Sequence, residues 1–165
     1  MATRKTKTKP ILIVDTREKT PWDFETDDAF EEVIYRKLDH GDYSIEGLED
    51  IISIERKASV NELYTNFTKD KKRIKAEFER MKDCDFKFLV VEETCEDVLN
   101  PYMYYVNQKK INRKSINVPV AIVASNLTEL MIEQGVRVIF GGSKAQSMAK
   151  GLLLKVYDMH QKGKL

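Results

Sequence analysis

The apolar positions fall into short runs with two different periods. Ile11-Leu12-Ile13-Val14 is fully apolar and stops at Asp15, the pattern of a central strand with an acid at its C-terminal end. From Val33 to Leu38 two faces alternate, Val33, Tyr35 and Lys37 against Ile34, Arg36 and Leu38, which predicts another strand. Tyr43 to Ile45 and Ile51 to Arg56 predict two strands joined by a turn at Gly47. After Lys57 the period changes. Leu63 and Phe67, then Ile74, Phe78 and Met81, follow helical steps with the lysines on the opposite face.

Phe86 to Val91 predicts a further strand, which runs into Glu92 and Glu93. Residues 95 to 114 are polar, tyrosine-rich and basic, and read as loop. Asn117 can cap a helix with Pro119 in its first turn, running to about Gln134 and closed by Gly135. Val136 to Phe140 is a last strand, and Ser143 opens a helix to about His160. The order of elements predicts an α/β fold: a mixed central sheet with helices on both faces, in one domain over residues 10–165. Residues 1–9 read as a disordered basic tail, and the acid-rich stretch after Pro21 as a loop.

Composition sharpens this picture through charge. The chain has 165 residues, 33% of them charged, yet the net charge is only +1. The charges are segregated. Residues 23–32 carry six acids and no Lys or Arg, whereas bases crowd residues 4–9, 69–75 and 109–114. One such cluster reads as a solvated face; three are compatible with a polyanion surface. Cys84 and Cys95 form neither a disulfide framework nor a zinc-ligand spacing. No apolar run is long enough to span a membrane, and no secretory signal opens the chain, so a soluble, cytoplasmic protein is expected.

The chemistry lies where Ile51-Ile52-Ser53-Ile54 runs directly into Glu55, Arg56 and Lys57. Burying unpaired charge costs more than one strand of apolar contacts gains, so these charges must be compensated. Alternation puts Glu55 and Lys57 on one face and Arg56 on the other, with Ile52 and Ile54. Asp42, at the start of the neighbouring strand, can lie beside Glu55. Two adjacent carboxylates repel unless a cation sits between them, and Mg²⁺ suits such oxygen ligands. A lysine alongside can assist a water or stabilise charge on a phosphate.

Three ordered motifs make the reading specific: "IVDTREK" (13–19), "LDHGDYSI" (38–45) and "IERKASVNEL" (54–63). Together they resemble the nuclease domain of the XPF/Mus81 family, called the ERCC4 domain, a branch of the PD-(D/E)XK restriction-endonuclease-like superfamily. The likeness continues through "RIKAEFERM" and "FKFLVVEE", covering nearly all the chain after the tail. It implies a restriction-endonuclease-like fold and a Mg²⁺- or Mn²⁺-dependent endonuclease acting on branched, flapped or forked DNA. Asp42 and Glu55 would be metal ligands, with the backbone carbonyl of Arg56 as a third. Lys57 would be the catalytic lysine. Asp15 and Glu18 would add acidity from the neighbouring strand end, Asp15 through metal-bound water. Arg56 is expected to pair with a carboxylate, in a catalytic or a structural role. DNA contacts would fall to Arg17, to Lys71, Lys72 and Lys75, and to Lys109, Lys110, Arg113 and Lys114, with Tyr102, Tyr104 and Tyr105 available for stacking on bases.

One position departs from the pattern. The last motif aspartate of the family falls on Asn61, and Glu62, one residue on, would point about 100° away on a helix. Asn61 is the one support for an alternative, a non-catalytic DNA-binding or scaffold subunit that kept the fold. An RNA nuclease is a third reading, since the catalytic groups read only phosphates. Cellular members append a tandem helix-hairpin-helix domain. The present sequence resembles the single-domain phage and microbial versions, which implies host cytoplasm or nucleoid and allows a homodimer through the C-terminal helices. "GGSKAQS" (141–147) lacks the Walker ending and reads as a tight turn and cap rather than a phosphate loop. His40 reads as a surface turn residue.

Overall fold

The computed structural model describes residues 8–101 and 120–165. Their strands are β1 (Ile11–Val14), β2 (Glu32–Tyr35), β3 (Tyr43–Ile45), β4 (Ile52–Lys57), β5 (Phe86–Val91) and β6 (Arg137–Phe140). Their helices are α1 (Val60–Thr68), α2 (Lys71–Arg80), α3 (Cys95–Leu99), α4 (Val120–Glu133) and α5 (Ala145–Gln161). The strands form one mixed sheet in the order β2-β1-β3-β4-β5-β6. β1 pairs parallel with β2 and antiparallel with β3; β3 is antiparallel to β4; β4, β5 and β6 run parallel. The expected mixed sheet with helices on both faces is what the chain forms.

Alternation along the strands feeds two cores. Ile52, Ile54, Phe88 and Val90 face α5 and the aromatic loop of Trp22, Phe24 and Phe30. Leu89 and Val91 face α1, α2 and α4 through Leu63, Phe67, Phe78 and Leu127. Glu55 and Lys57 share this second face at the end of β4, and Arg56 shares the first.

Several boundaries differ from the sequence expectation, each for a local reason. β2 ends at Tyr35 rather than Leu38 because β1, its partner, is short. Arg36 N–H still reaches the Val14 carbonyl (3.0 Å), and the chain then turns to place the Leu38 N–H on the Asp15 carboxylate (2.6 Å). The helical pattern from Leu63 to Met81 is two helices. They separate where the N–H groups of Lys69 and Asp70 both turn back to the Thr65 carbonyl. The stretch expected to be loop from residue 95 contains α3, opened by a reciprocal Thr94–Asp97 capping box. Asn117, Pro119 and the three loop tyrosines lie outside the described residues.

Gly135 closes α4 at φ +64°, as the pattern predicted. The last helix begins at Ala145, two residues after the expected Ser143, behind a single 3₁₀ turn at Gly142–Lys144. There Gly141 passes so close to Ala145 that a β-carbon would lie 2.5 Å from its Cα, which supports tight turning for the glycine pair. Thr8, placed in the tail from sequence, hydrogen-bonds Tyr157 on α5 (3.0 Å). Both cysteines are free. Among the described residues no helix is long and apolar enough to cross a membrane.

Candidate active site

Asp42 is positioned by backbone bonds on both sides. Its N–H donates to the Ile54 carbonyl of β4, and its carbonyl accepts the Asp15 N–H at the end of β1, both at 2.8 Å. Gly41, at φ +69°, makes this turn possible: a β-carbon there would lie 2.3 Å from the buried Ser53 hydroxyl. One carboxylate oxygen of Asp42, Oδ2, accepts the main-chain N–H of Arg56 (2.7 Å). Strand alternation turns the Arg56 carbonyl to the same edge of β4 as that N–H.

Glu55 and Lys57, each 5% exposed, project together toward α1 and α2. Lys57 Nζ donates to Glu55 Oε1 at 2.5 Å and lies 3.5 Å from Glu62 Oε1. Asp42, Glu55 and Lys57 line a single cleft of about 400 Å³, which Asp15, Arg17 and Glu18 also line. Glu62 and Asn66 of α1 and Arg73 and Glu77 of α2 line it too.

The electrostatics follow from burial and crowding. Burial first, and the Glu55 charge second, push the Asp42 carboxyl well above its ordinary value; the Arg56 N–H and Lys57 offset this only in part. Burial also raises Glu55, against the pull of Lys57. For Lys57 burial opposes the ammonium, but Glu55, Glu62 and Asp42 together outweigh it and raise its pKa. The cleft therefore holds two carboxylates reluctant to share full charge, with one lysine compensating them. Among the described residues no three His, Cys, Asp or Glu side chains are grouped so as to hold a metal ion.

The other expected site residues take different places. Asp15 has both oxygens committed: Oδ1 accepts from Arg17 N (2.8 Å) and Nε (2.7 Å), and Oδ2 from Arg17 Nη2 (3.0 Å) and Leu38 N (2.6 Å). Burial alone would raise its pKa, yet these bonds hold it below the ordinary value. Glu18 accepts from the Thr20 N–H (2.9 Å) and from Arg56 Nη1 (3.3 Å). Arg56 does pair with carboxylates. It sits on the far face, donating to Glu92 (2.7 Å) and the Thr20 carbonyl (2.7 Å) and stacking over Trp22, whose indole N–H also bonds Glu92.

The basic residues divide. Arg17 stands half-exposed at the cleft rim, while Lys71 and Lys75 lean on Glu129 of α4, at 3.6 and 2.9 Å. Lys72 is exposed on α2 and outside the cleft lining. Lys109, Lys110, Arg113 and Lys114 lie outside the described residues. His40, a partly buried turn residue, bonds the Ser53 hydroxyl through Nδ1 (3.1 Å).

Asn61 is exposed on α1 and does not line the cleft; Glu62 does. The expectation that Glu62 points away is thus reversed, because the cleft faces the third residue of α1 rather than the second. A sequence signal for this exists. Ser59-Val60-Asn61-Glu62 has the S-x-x-E pattern of a capping box, and Ser59 does cap α1 by accepting the Glu62 N–H. Arg73 and Glu77, one helical turn apart on α2, were also missed. Their shared face emerges only once the break before Asp70 resets the helical register.

The pattern of the ERCC4 domain family matches residues 14–149, and the chain belongs to that family. Two solved structures share its fold. One is XPF from Aeropyrum pernix in complex with DNA: TM-score 0.62, 18% identity, 91% of this chain and 66% of that chain covered. The other is XPF from Aeropyrum pernix: TM-score 0.60, 19% identity, 90% and 61% covered. The chain thus spans less than two thirds of either. A comparison with curated proteins finds no match.

Proposed function

We propose that this protein is a metal-dependent endonuclease that hydrolyses phosphodiester bonds in branched, flapped or forked DNA. The observation that carries the reading is the convergence of Asp42, Glu55 and Lys57 on one cleft from adjoining strands. The residues fit a Mg²⁺ or Mn²⁺ ion. The Glu55 charge adds to the cost that burial sets on ionising Asp42, and burial raises Glu55 as well; a cation between them would reverse both. Oδ1 of Asp42 carries no hydrogen bond among the described residues, and the Arg56 carbonyl offers a further oxygen. Two carboxylates and a carbonyl leave room for water, which Mg²⁺ retains readily. When bound, such an ion supplies Lewis acidity and an activated water.

The protein's own groups do the rest. Lys57 presents a buried ammonium to the charge developing on a phosphate, and the enclosed position strengthens that interaction. Asp15 and Glu18 act by orientation: one fixes Arg17 and the turn at Leu38, the other helps fix Arg56. Arg17 and Arg73, which line the cleft from the loop after β1 and from α2, are the candidates to take the flanking phosphates. DNA as substrate is supported by family membership and by the DNA complex of the XPF structure. The scaffold alternative rested on Asn61, which does not line the cleft, whereas Glu62 brings a carboxylate to it; the cleavage panel separates the two readings.

The test is a Mg²⁺-dependent cleavage panel of single strand, duplex, flap, fork and four-way junction, with an RNA duplex beside them. Glu55→Ala and Lys57→Ala are expected to abolish cleavage while keeping the fold and most DNA affinity. Unchanged cleavage by both variants removes the mechanism. Sedimentation of the same samples reads whether the protein is a homodimer.

A further inference from the structure

We propose that Glu62 is the positioning residue for Lys57 and fills the role that the family pattern assigns to an aspartate at position 61. The inference rests on the nuclease reading and names the residue one position after the family's motif aspartate.

Three observations carry it. First, α1 is registered so that Glu62, not Asn61, meets the cleft. Second, the Glu62 side chain is oriented by the helix start. Its Oε2 accepts the Ala58 N–H (3.0 Å) while Ser59 accepts the Glu62 N–H (3.1 Å). That leaves Oε1 directed at Lys57 Nζ, 3.5 Å away, an ion pair rather than a hydrogen bond. Third, α1 is itself braced there: Asn66 donates to the Glu62 carbonyl (2.7 Å) and accepts from Arg73 (3.4 Å).

The chemical need is specific. Lys57 is buried, and its close partner is Glu55. Glu55 cannot serve as a ligand or face a phosphate while it is also the only counter-charge for a buried ammonium. A second carboxylate from a different element releases Glu55 without abandoning Lys57. Glu62 is 41% exposed at its side chain, so placing a carboxylate there costs little desolvation.

Glu62→Gln tests this, because the amide oxygen still accepts the Ala58 N–H and keeps the cap while the charge is lost. The expected result is a fall in kcat of about tenfold or more, as when a supporting partner of an active-site group is removed. KM for a flap substrate and the Mn²⁺ isotherm by calorimetry should stay within about twofold. Modification of Lys57 by acetic anhydride, read by mass spectrometry without metal, should quicken several-fold in Glu62→Gln. Asn61→Asp should leave the wild-type rate unchanged and fail to rescue Glu62→Gln. Wild-type kcat and unchanged Lys57 labelling in Glu62→Gln overturn the proposal, as does rescue by Asn61→Asp. Inactive wild type with Lys57 labelling still sensitive to Glu62 would instead sink the nuclease reading and spare the pairing.

Discussion

Asp15→Asn separates an orienting carboxylate from a reacting one. The substitution keeps the shape and removes the charge. In either amide orientation an NH₂ group faces two donors, because Oδ1 accepts from Arg17 N and Nε, and Oδ2 from Arg17 Nη2 and Leu38 N. The buried Leu38 bond to a charged acceptor contributes about 1.5–3 kcal/mol. The fork to Arg17, whose side chain is 52% exposed, adds only about 0.5–1 kcal/mol after solvent screening. Together these give about 2–4 kcal/mol at neutral pH, a melting temperature roughly 5–15 °C lower for a domain of this size.

The pH dependence supplies the sharper check. Asp15 titrates below its ordinary value of 3.8 in the fold, so folding favours its ionised form. A depressed carboxyl contributes fully above its unfolded pKa, and the contribution disappears as pH falls through the folded pKa. Calorimetry of wild type and Asp15→Asn should therefore show the full gap at pH 7 and pH 5 and a narrowing gap below about pH 4. Equal melting at neutral pH, or a gap at pH 3 as wide as at pH 7, would refute the assignment.

Three further outcomes are expected. Gly41→Ala should destabilise by about 2 kcal/mol or more, since it combines left-handed strain with the clash on Ser53, and urea titration reads it. Arg56→Met removes the partner of two carboxylates, Glu92 and Glu18, and should cost about 2–4 kcal/mol while loosening the Thr20 loop, visible as faster amide exchange there. Arg17→Ala with Arg73→Ala should weaken duplex binding and flatten its salt dependence by about one unit per arginine, whereas Lys71→Ala with Lys75→Ala should do less, because Glu129 already engages both lysines.

How much of this was legible before the structure depended on whether the signal was local. β1, β3 and β5 could be read from their runs and alternation, and Glu55 and Lys57 from the same rule applied to β4. Asp42 could be placed because Gly41-Asp42 marks the turn into β3. Asp15 could be placed at the end of β1, but not its commitment, which depends on where Leu38 returns across the sheet, 23 residues later. The α2 lysines show the same limit: helical periodicity identifies a polar face, but only the docking of α4 shows that Glu129 engages two of its charges. Glu62 lay within reach through the capping pattern at Ser59; counting from the family motif put the cleft-facing position at 61 and so turned Glu62 away.

The charges that end β4 are compensated unequally, and the inequality points to the chemistry. Arg56, on the α5 side, is held by Glu92, Glu18 and the Thr20 carbonyl, and it braces the strand end against the Trp22 loop. Lys57, on the other side, has Glu55 and Glu62. Asp42 has no salt-bridge partner among the described residues, only the Arg56 N–H on one oxygen, and it is the cleft carboxyl pushed well above its ordinary value. A fold selected for stability alone would do better with an amide or a hydroxyl at that turn, since the Arg56 N–H needs one acceptor and no charge. Retaining a carboxylate that its neighbours compensate only in part, at a fixed backbone position, is rational where a cation arrives from outside. Asp42→Asn should then be more stable than wild type without divalent ions, and lose that advantage when millimolar Mn²⁺ is added. Equal stability of the two proteins in both conditions would leave the charge at Asp42 without a purpose and remove the ground for a metal in this cleft.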